Sequence, residues 1–235
     1  MCVANAGQTI ESPCRAAISI SAKGVLTAGE PISPDGYRIG QSAAAIPIYC
    51  AIAAVLLVVQ IAVLHAFGQP FMAASGEIRL WVNDPFSPDN SQQLADWYSF
   101  SHVIHGFIFF VLLRFAAPRL PVGARLLIAM AVEITWELTE NTPMVIRHYR
   151  QQALAAGYSG DSILNSVSDT LMMCGGFFFA SRVRFRYVIA LALGLEILTA
   201  CTIRDNLTLN VFNLLAPSGW ASTRAIHDWQ SGARR

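Results

Sequence analysis

Glu133, Glu137 and Glu140 lie in the stretch 124–142, ARLLIAMAVEITWELTENT, which is otherwise apolar and helix-forming. A carboxylate near the centre of a bilayer costs roughly 2.5–3.5 kcal/mol even on lenient insertion scales. Three on one short helix therefore require a polar interior or a chemical task. Two further apolar stretches carry polar or ionisable groups at helical spacing: His102 with His105, and Ser162 with Asn165, Ser166 and Asp169. Steps of three or four residues keep each set on one helix face. Imidazole and carboxylate ligands on facing helices suit zinc, iron or manganese. The same groups suit metal-free acid–base chemistry, because burial raises carboxylate pKa values towards neutrality. The spacing specifies neither: His102 and His105 do not form H-E-x-x-H, and TWELTEN has no histidine three residues after a glutamate. Metal and cofactor stay unknown on this pattern.

The elements that must position these groups are membrane-length. Of 235 residues 54% are hydrophobic and 13% charged, against roughly 25% charged in soluble domains. An integral membrane protein is the expectation, with the lipid bilayer as its first partner. A net charge of +1 without a long basic run argues against nucleic acid, which is bound by neutralising phosphates. The five cysteines show no C-x-x-C spacing, so no disulfide framework or zinc–thiolate site is expected.

Residues 1–42 are rich in Ser, Ala, Gly and Pro and read as a disordered N-terminal extension, with 43–217 as the transmembrane domain and 218–235 as a C-terminal tail. About 20 apolar residues cross the hydrocarbon core as a helix. Spans are expected at 43–67 and at about 100–117, 125–141, 162–180 and 187–203, with 207–217 too short to cross unless it is irregular. Arg114, Arg119 and Arg125 cluster between spans two and three, and Arg182, Arg184 and Arg186 between four and five. The positive-inside rule places those clusters in the cytoplasm, although Arg147 and Arg150 stand on the other side.

With that topology the unusual polar groups gather at the outer ends of the spans. Span two opens with Ser101, His102 and His105, and span three closes with Glu137, Glu140 and Asn141. Span four opens with Asp161, Ser162, Asn165, Ser166 and Asp169, and span five carries Glu196 and ends in Arg204, Asp205 and Asn206. Inward-facing stripes would form one polar pocket at the outer leaflet. Structural roles compete at each position. His102 can anchor at headgroup level, Glu133 and Glu196 can each form a buried pair with an arginine or another polar group, and Asp161 and Ser162 suit a helix N-cap.

Four runs carry a family resemblance: ADWYSFSHVIHGF (95–107), WELTENTP (136–143), GDSILNSVSDT (160–170) and IRDNLTLN (203–210). In this order they resemble a family of bacterial multi-pass membrane proteins known as domain of unknown function 2585, or uncharacterised protein family 0314. That resemblance covers residues 80–230 and implies a membrane location but no activity. A weaker similarity is to VanZ-like membrane proteins, the group linked to teicoplanin resistance, through His105 to Phe109, Glu137 to Glu140 and Ile163 to Gly176. Here Glu140, Ile163 and Met173 replace that pattern's glutamine, arginine and asparagine.

The expectation is an all-α integral membrane helical bundle of five or six transmembrane helices in the bacterial inner (cell) membrane. Its function has two readings. One is an intramembrane hydrolase or transferase acting on a lipid or cell-wall precursor headgroup. In it His102 or His105 is the general base, Glu137 and Asp169 are orienting or metal-binding carboxylates, and Glu140, Asn141, Asp161, Ser162, Asn165, Arg204, Asp205 and Asn206 contact substrate. Arg204 would take an anionic headgroup. The other is a non-enzymatic membrane protein, a small transporter or assembly factor, in which the same residues form a proton relay or a structural network.

Overall fold

The computed structural model describes residues 45–152, 154–155, 157–216 and 220–232. The expected N-terminal extension lies outside the described residues. The described residues are all-helical, and eight helices follow in order: α1 (Ile46–Ala66), α2 (Ser99–Ala116), α3 (Val122–Glu140), α4 (Pro143–Tyr149), α5 (Ile163–Arg182), α6 (Phe185–Ile203), α7 (Leu207–Leu215) and α8 (Ala221–Ser231). Each of the five expected spans coincides with a helix to within about three residues. Among them α1, α2, α5 and α6 are long and apolar enough to cross a membrane. Helix α3 has the length but carries Arg125, Glu133, Glu137 and Glu140. Helix α7, at nine residues, rises only about 14 Å and does not complete a sixth crossing.

Helix α5 is the axis of the bundle. Helix α2 packs along it most extensively, and α1 and α3 also lie against it. The closeness of α2 and α5 has a specific cause. A Cβ on Gly106 would sit 2.1 Å from the Met173 carbonyl oxygen, and one on Gly176 2.2 Å from that of Val103. Two small residues thus let the backbones touch, the usual way for helices to associate where lipid is as apolar as the side chains. Around this seam pack Ile104, Phe107, Phe110, Ala129, Met130, Phe177 and Ala180. Phe110 meets Phe177 edge to face, with ring centroids 5.3 Å apart.

Helix α1 has the opposite character. It buries only Gln60 and Leu64 and exposes Ile48, Ile52, Val55, Val58 and Val59, a surface suited to lipid. Helix ends are set by local chemistry. Ser162 accepts from the Asn165 N–H at the start of α5, and Asn206 accepts from Leu209 N–H at the start of α7. Arg204 ends α6 in the left-handed conformation at φ 58°, and its guanidinium donates to the Trp229 carbonyl of α8 at 2.8 Å. The expected C-terminal tail therefore contains a helix tied back to the end of α6.

Candidate functional site

The polar face of α3 meets that of α2 at Glu133. Its Oε1 lies 2.6 Å from His102 Nδ1, and its two oxygens lie 3.2 and 3.1 Å from His105 Nδ1. One turn on, Glu137 Oε1 is 3.2 Å from the same His102 nitrogen. On the other side of the ring, His102 Nε2 faces Asp169 Oδ2 at 3.8 Å, and the Ser99 hydroxyl fixes Asp169 Oδ1 at 2.7 Å. His102, Glu133, Glu137 and Asp169 are all buried, and His105 is partly so. Helical periodicity explains the convergence: Ser99, His102 and Gly106 share one face of α2, Glu133, Glu137 and Asn141 one face of α3, and Ser162, Ser166, Asp169 and Met173 one face of α5.

A second layer holds this cluster in place. Ser166 Oγ donates to Glu137 Oε2 at 2.7 Å and accepts from Gln60 Nε2 at 2.9 Å. Gln60 also bonds the Ser166 carbonyl and Thr170 Oγ1, so the apolar helix α1 is docked by one buried amide. Outside the spans, Asn141 and Asp161 bond reciprocally: Asn141 Nδ2 donates to Asp161 Oδ2 at 2.8 Å, and Asp161 N–H donates to Asn141 Oδ1 at 2.7 Å. Burial pushes the Asp161 carboxyl up to about 6, while donation from Asn141 and from the Tyr158 hydroxyl holds it back. Burial likewise raises the Asp96 carboxyl, which accepts the N–H groups of Ser91 and Tyr98 and pins the preceding loop to the start of α2.

A cavity of about 860 Å³ opens against the cluster. His102, His105, Glu133 and Asp169 form its polar floor, and Phe109, Val132 and Trp136 line an apolar side. Val132 is 49% exposed on the outer face of α3, so that wall reaches the surface of the bundle.

Sequence expectations meet this geometry unevenly. His102, His105, Glu137 and Asp169 come together. Glu140, Asp161 and Asn165 join the cavity wall. Asn141 and Ser162 serve behind it as a strut and a helix cap. Arg204, Asp205 and Asn206 are not among the cavity residues. Arg204 is turned to Trp229, Asp205 accepts from Tyr98, Asn206, Asn210 and Gln230, and Asn206 caps α7. Glu196 pairs with polar groups other than arginine, receiving the Leu207 and Thr208 N–H groups and the Thr208 hydroxyl. Glu133 likewise pairs with histidines, not with an arginine. Gln60 and Ser99 are the site residues that sequence reasoning left out, and Glu133, singled out there as costly, was not assigned to the site. The signal for Gln60 was present, as a lone amide inside AIAAVLLVVQIAVLHAF.

A bundle of apolar helices closed over buried imidazoles and carboxylates defines a membrane protein with an ionisable interior. The chain belongs to the family described as protein of unknown function DUF2585, whose model matches residues 64–232. It is 48% identical over 181 residues to a UPF0314 protein of Sphingopyxis alaskensis, covering 77% of this chain and 94% of that one. It is 46% identical over 177 residues to a UPF0314 protein of Rhizobium johnstonii, covering 75% and 88%, and 43% identical over 180 residues to one of Agrobacterium fabrum, covering 77% and 88%. No solved structure matches.

Proposed function

We propose that this protein is an intramembrane hydrolase or transferase of the bacterial inner membrane, acting on the headgroup of a lipid or lipid-linked cell-wall precursor. The observation that carries this reading is the placement of His102, His105, Glu133 and Asp169 on the floor of a cavity whose wall reaches the lipid-facing surface at Val132. A headgroup at the floor and an acyl or isoprenoid chain along Phe109, Val132 and Trp136 match that division. Structural networks in membranes end with every polar atom paired, since an unpaired one is costly. Glu137 Oε1 departs from this: it is buried without a hydrogen-bond partner, 3.2 Å from His102 Nδ1 but out of line with its N–H. Glu137 does not itself line the cavity, so it can take up the proton that a water or hydroxyl nucleophile loses only by way of His102, which does. By the positive-inside rule, the arginine clusters at 114–125 and 182–186 support a cavity at the outer leaflet.

The test is a paired measurement of folding and chemistry. Purified protein is incubated with a total lipid extract of the source bacterium, and released headgroups are measured by mass spectrometry. His105→Gln and Asp169→Asn should keep folded yield and melting behaviour near those of the wild type while release falls at least 100-fold. Unchanged release, or complementation of a deletion strain by both variants, would remove the enzyme reading and favour a transporter or assembly role.

A further inference from the structure

We propose that the imidazole–carboxylate cluster is a metal site, in which His102 Nδ1, His105 Nδ1 and Glu133 bind one first-row divalent ion of the zinc, iron or manganese class. The inference rests on the enzyme reading only for what the ion would do, since the site itself follows from geometry. One ligand atom from each of the three residues lies within 4.8 Å of the other two, compact enough for bonds of about 2.0–2.2 Å to a common centre. Both histidines turn the same kind of nitrogen, Nδ1, to one carboxylate. Protons satisfy this arrangement poorly. His102 carries at most one hydrogen on Nδ1, and two carboxylate oxygens stand near it, Glu133 Oε1 at 2.6 Å and Glu137 Oε1 at 3.2 Å. Aligned on Glu133, it leaves Glu137 Oε1 without a partner inside the protein. A cation among these atoms meets all of them at once, with Glu137 as a fourth ligand or as the acceptor beside it.

The surroundings of His102 have the organisation that a metal-bound histidine needs. The second nitrogen of such a histidine normally faces a carboxylate that sets the ring's orientation, and His102 Nε2 faces Asp169 Oδ2 at 3.8 Å, with Ser99 holding that carboxylate from behind. Glu137 is held through Ser166 by Gln60 of α1. Two imidazoles with carboxylates favour zinc, iron or manganese over calcium or magnesium, which prefer all-oxygen sites. His102, His105 and Glu133 also face the cavity, so coordination positions stay open for water or a substrate oxygen, as in catalytic and not structural zinc sites. An ion there would make bound water acidic enough to act as the nucleophile near neutral pH.

The full chain, purified without chelators on a tag free of histidine, should carry about one transition-metal ion per molecule by elemental mass spectrometry. After stripping, Co²⁺ titration should give visible d–d bands. His105→Gln and Glu133→Gln should each lower the affinity at least 100-fold. His148→Gln, which removes an imidazole bonded to the Asn213 carbonyl outside the cluster, should leave it unchanged. Wild-type protein with neither bound metal nor Co²⁺ bands overturns the proposal, as does equal Co²⁺ affinity in the wild type and His105→Gln. If Glu133→Gln does not fold, His105→Gln and the wild-type titration still decide. Headgroup release by chelator-stripped protein would remove the ion's catalytic part and spare the enzyme, while the Co²⁺ titration still decides the site. A stoichiometric ion without release would spare the site and sink the enzyme.

Discussion

On the buried side of α5, the C-terminal half presents Met173, Gly176, Phe177 and Ala180, and the N-terminal half Ser162, Ser166, Asp169 and Thr170. The helix is continuous, yet its two halves do different work. The first half of α2 follows the same rule, with Ser99 and His102 near its start and Gly106, Phe107 and Phe110 beyond. In the apolar half, close approach of backbones fixes helix separation and rotation. In the polar half, that imposed rotation brings imidazoles and carboxylates into a small space that they would not choose for their own stability. Bringing carboxylates together away from water is costly, so the apolar half must supply the stability that holds the polar half in place.

The largest expected effect therefore lies far from any ionisable group. Gly106→Val would drive its side chain against the Met173 carbonyl and the Phe177 amide, 2.1 and 2.5 Å from the added Cβ. Both obstacles are backbone and cannot rotate away, so the cost should exceed the roughly 1–3 kcal/mol of ordinary overpacking. Gly175→Ala is the matched control, because nothing lies within 4 Å of its Cβ, and its effect should stay within about 0.5 kcal/mol. Fluorescence-detected size exclusion and melting in detergent would report both. A folded, stable Gly106→Val protein would mean that the seam does not set the helix positions.

A smaller effect sharpens the boundary between the regions. Gln60 is the one side chain by which the lipid-facing helix α1 reaches the polar half in the bonds described above, donating to Ser166 and Thr170. Gln60→Leu should cost about 1–3 kcal/mol, the usual penalty for stranding buried partners. It should also loosen Glu137 through Ser166, lowering headgroup release more than the stability loss explains. Destabilisation with full activity would separate α1 docking from the site.

The two regions were also unequally legible in the sequence. Apolar runs of membrane length declare themselves without knowledge of neighbours, so each expected span coincides with a helix. The stripe rule further placed His102, His105, Glu137 and Asp169 on faces able to meet. Partners were not legible in the same way, because pairing depends on how far each helix is rotated by contacts such as Gly106 with Gly176. Hence Glu133 stood out as costly, but its histidine partners did not follow from the chain. Arg204 was expected at the headgroup, but the left-handed turn at φ 58° sends its guanidinium to α8. An amide such as Gln60 is easily overlooked in an apolar run, since it carries no charge to flag it.

The smallest effect concerns pH and comes from the margin of the polar half. Asp161 has a carboxyl raised by burial to about 6, against an ordinary 3.8. A group whose folded pKa lies above its unfolded one favours folding while it is protonated. Its contribution is therefore fully present below pH 3.8 and is lost as the pH rises through 6. Over that whole window the shift is worth roughly 3 kcal/mol, and about 1 kcal/mol of it falls between pH 5 and pH 7. Melting should therefore shift upward by a few degrees when the buffer is taken from pH 7 to pH 5. Asp161→Asn removes the titration, so the difference between wild type and variant should shrink or grow by that amount across the same interval, whatever the absolute cost of the substitution. Parallel pH curves would show that Asp161 titrates alike in folded and unfolded chains. The burial of the Asn141–Asp161 pair would then carry no charge penalty, and the contrast between an apolar half that stabilises and a polar half that strains would not extend beyond the spans.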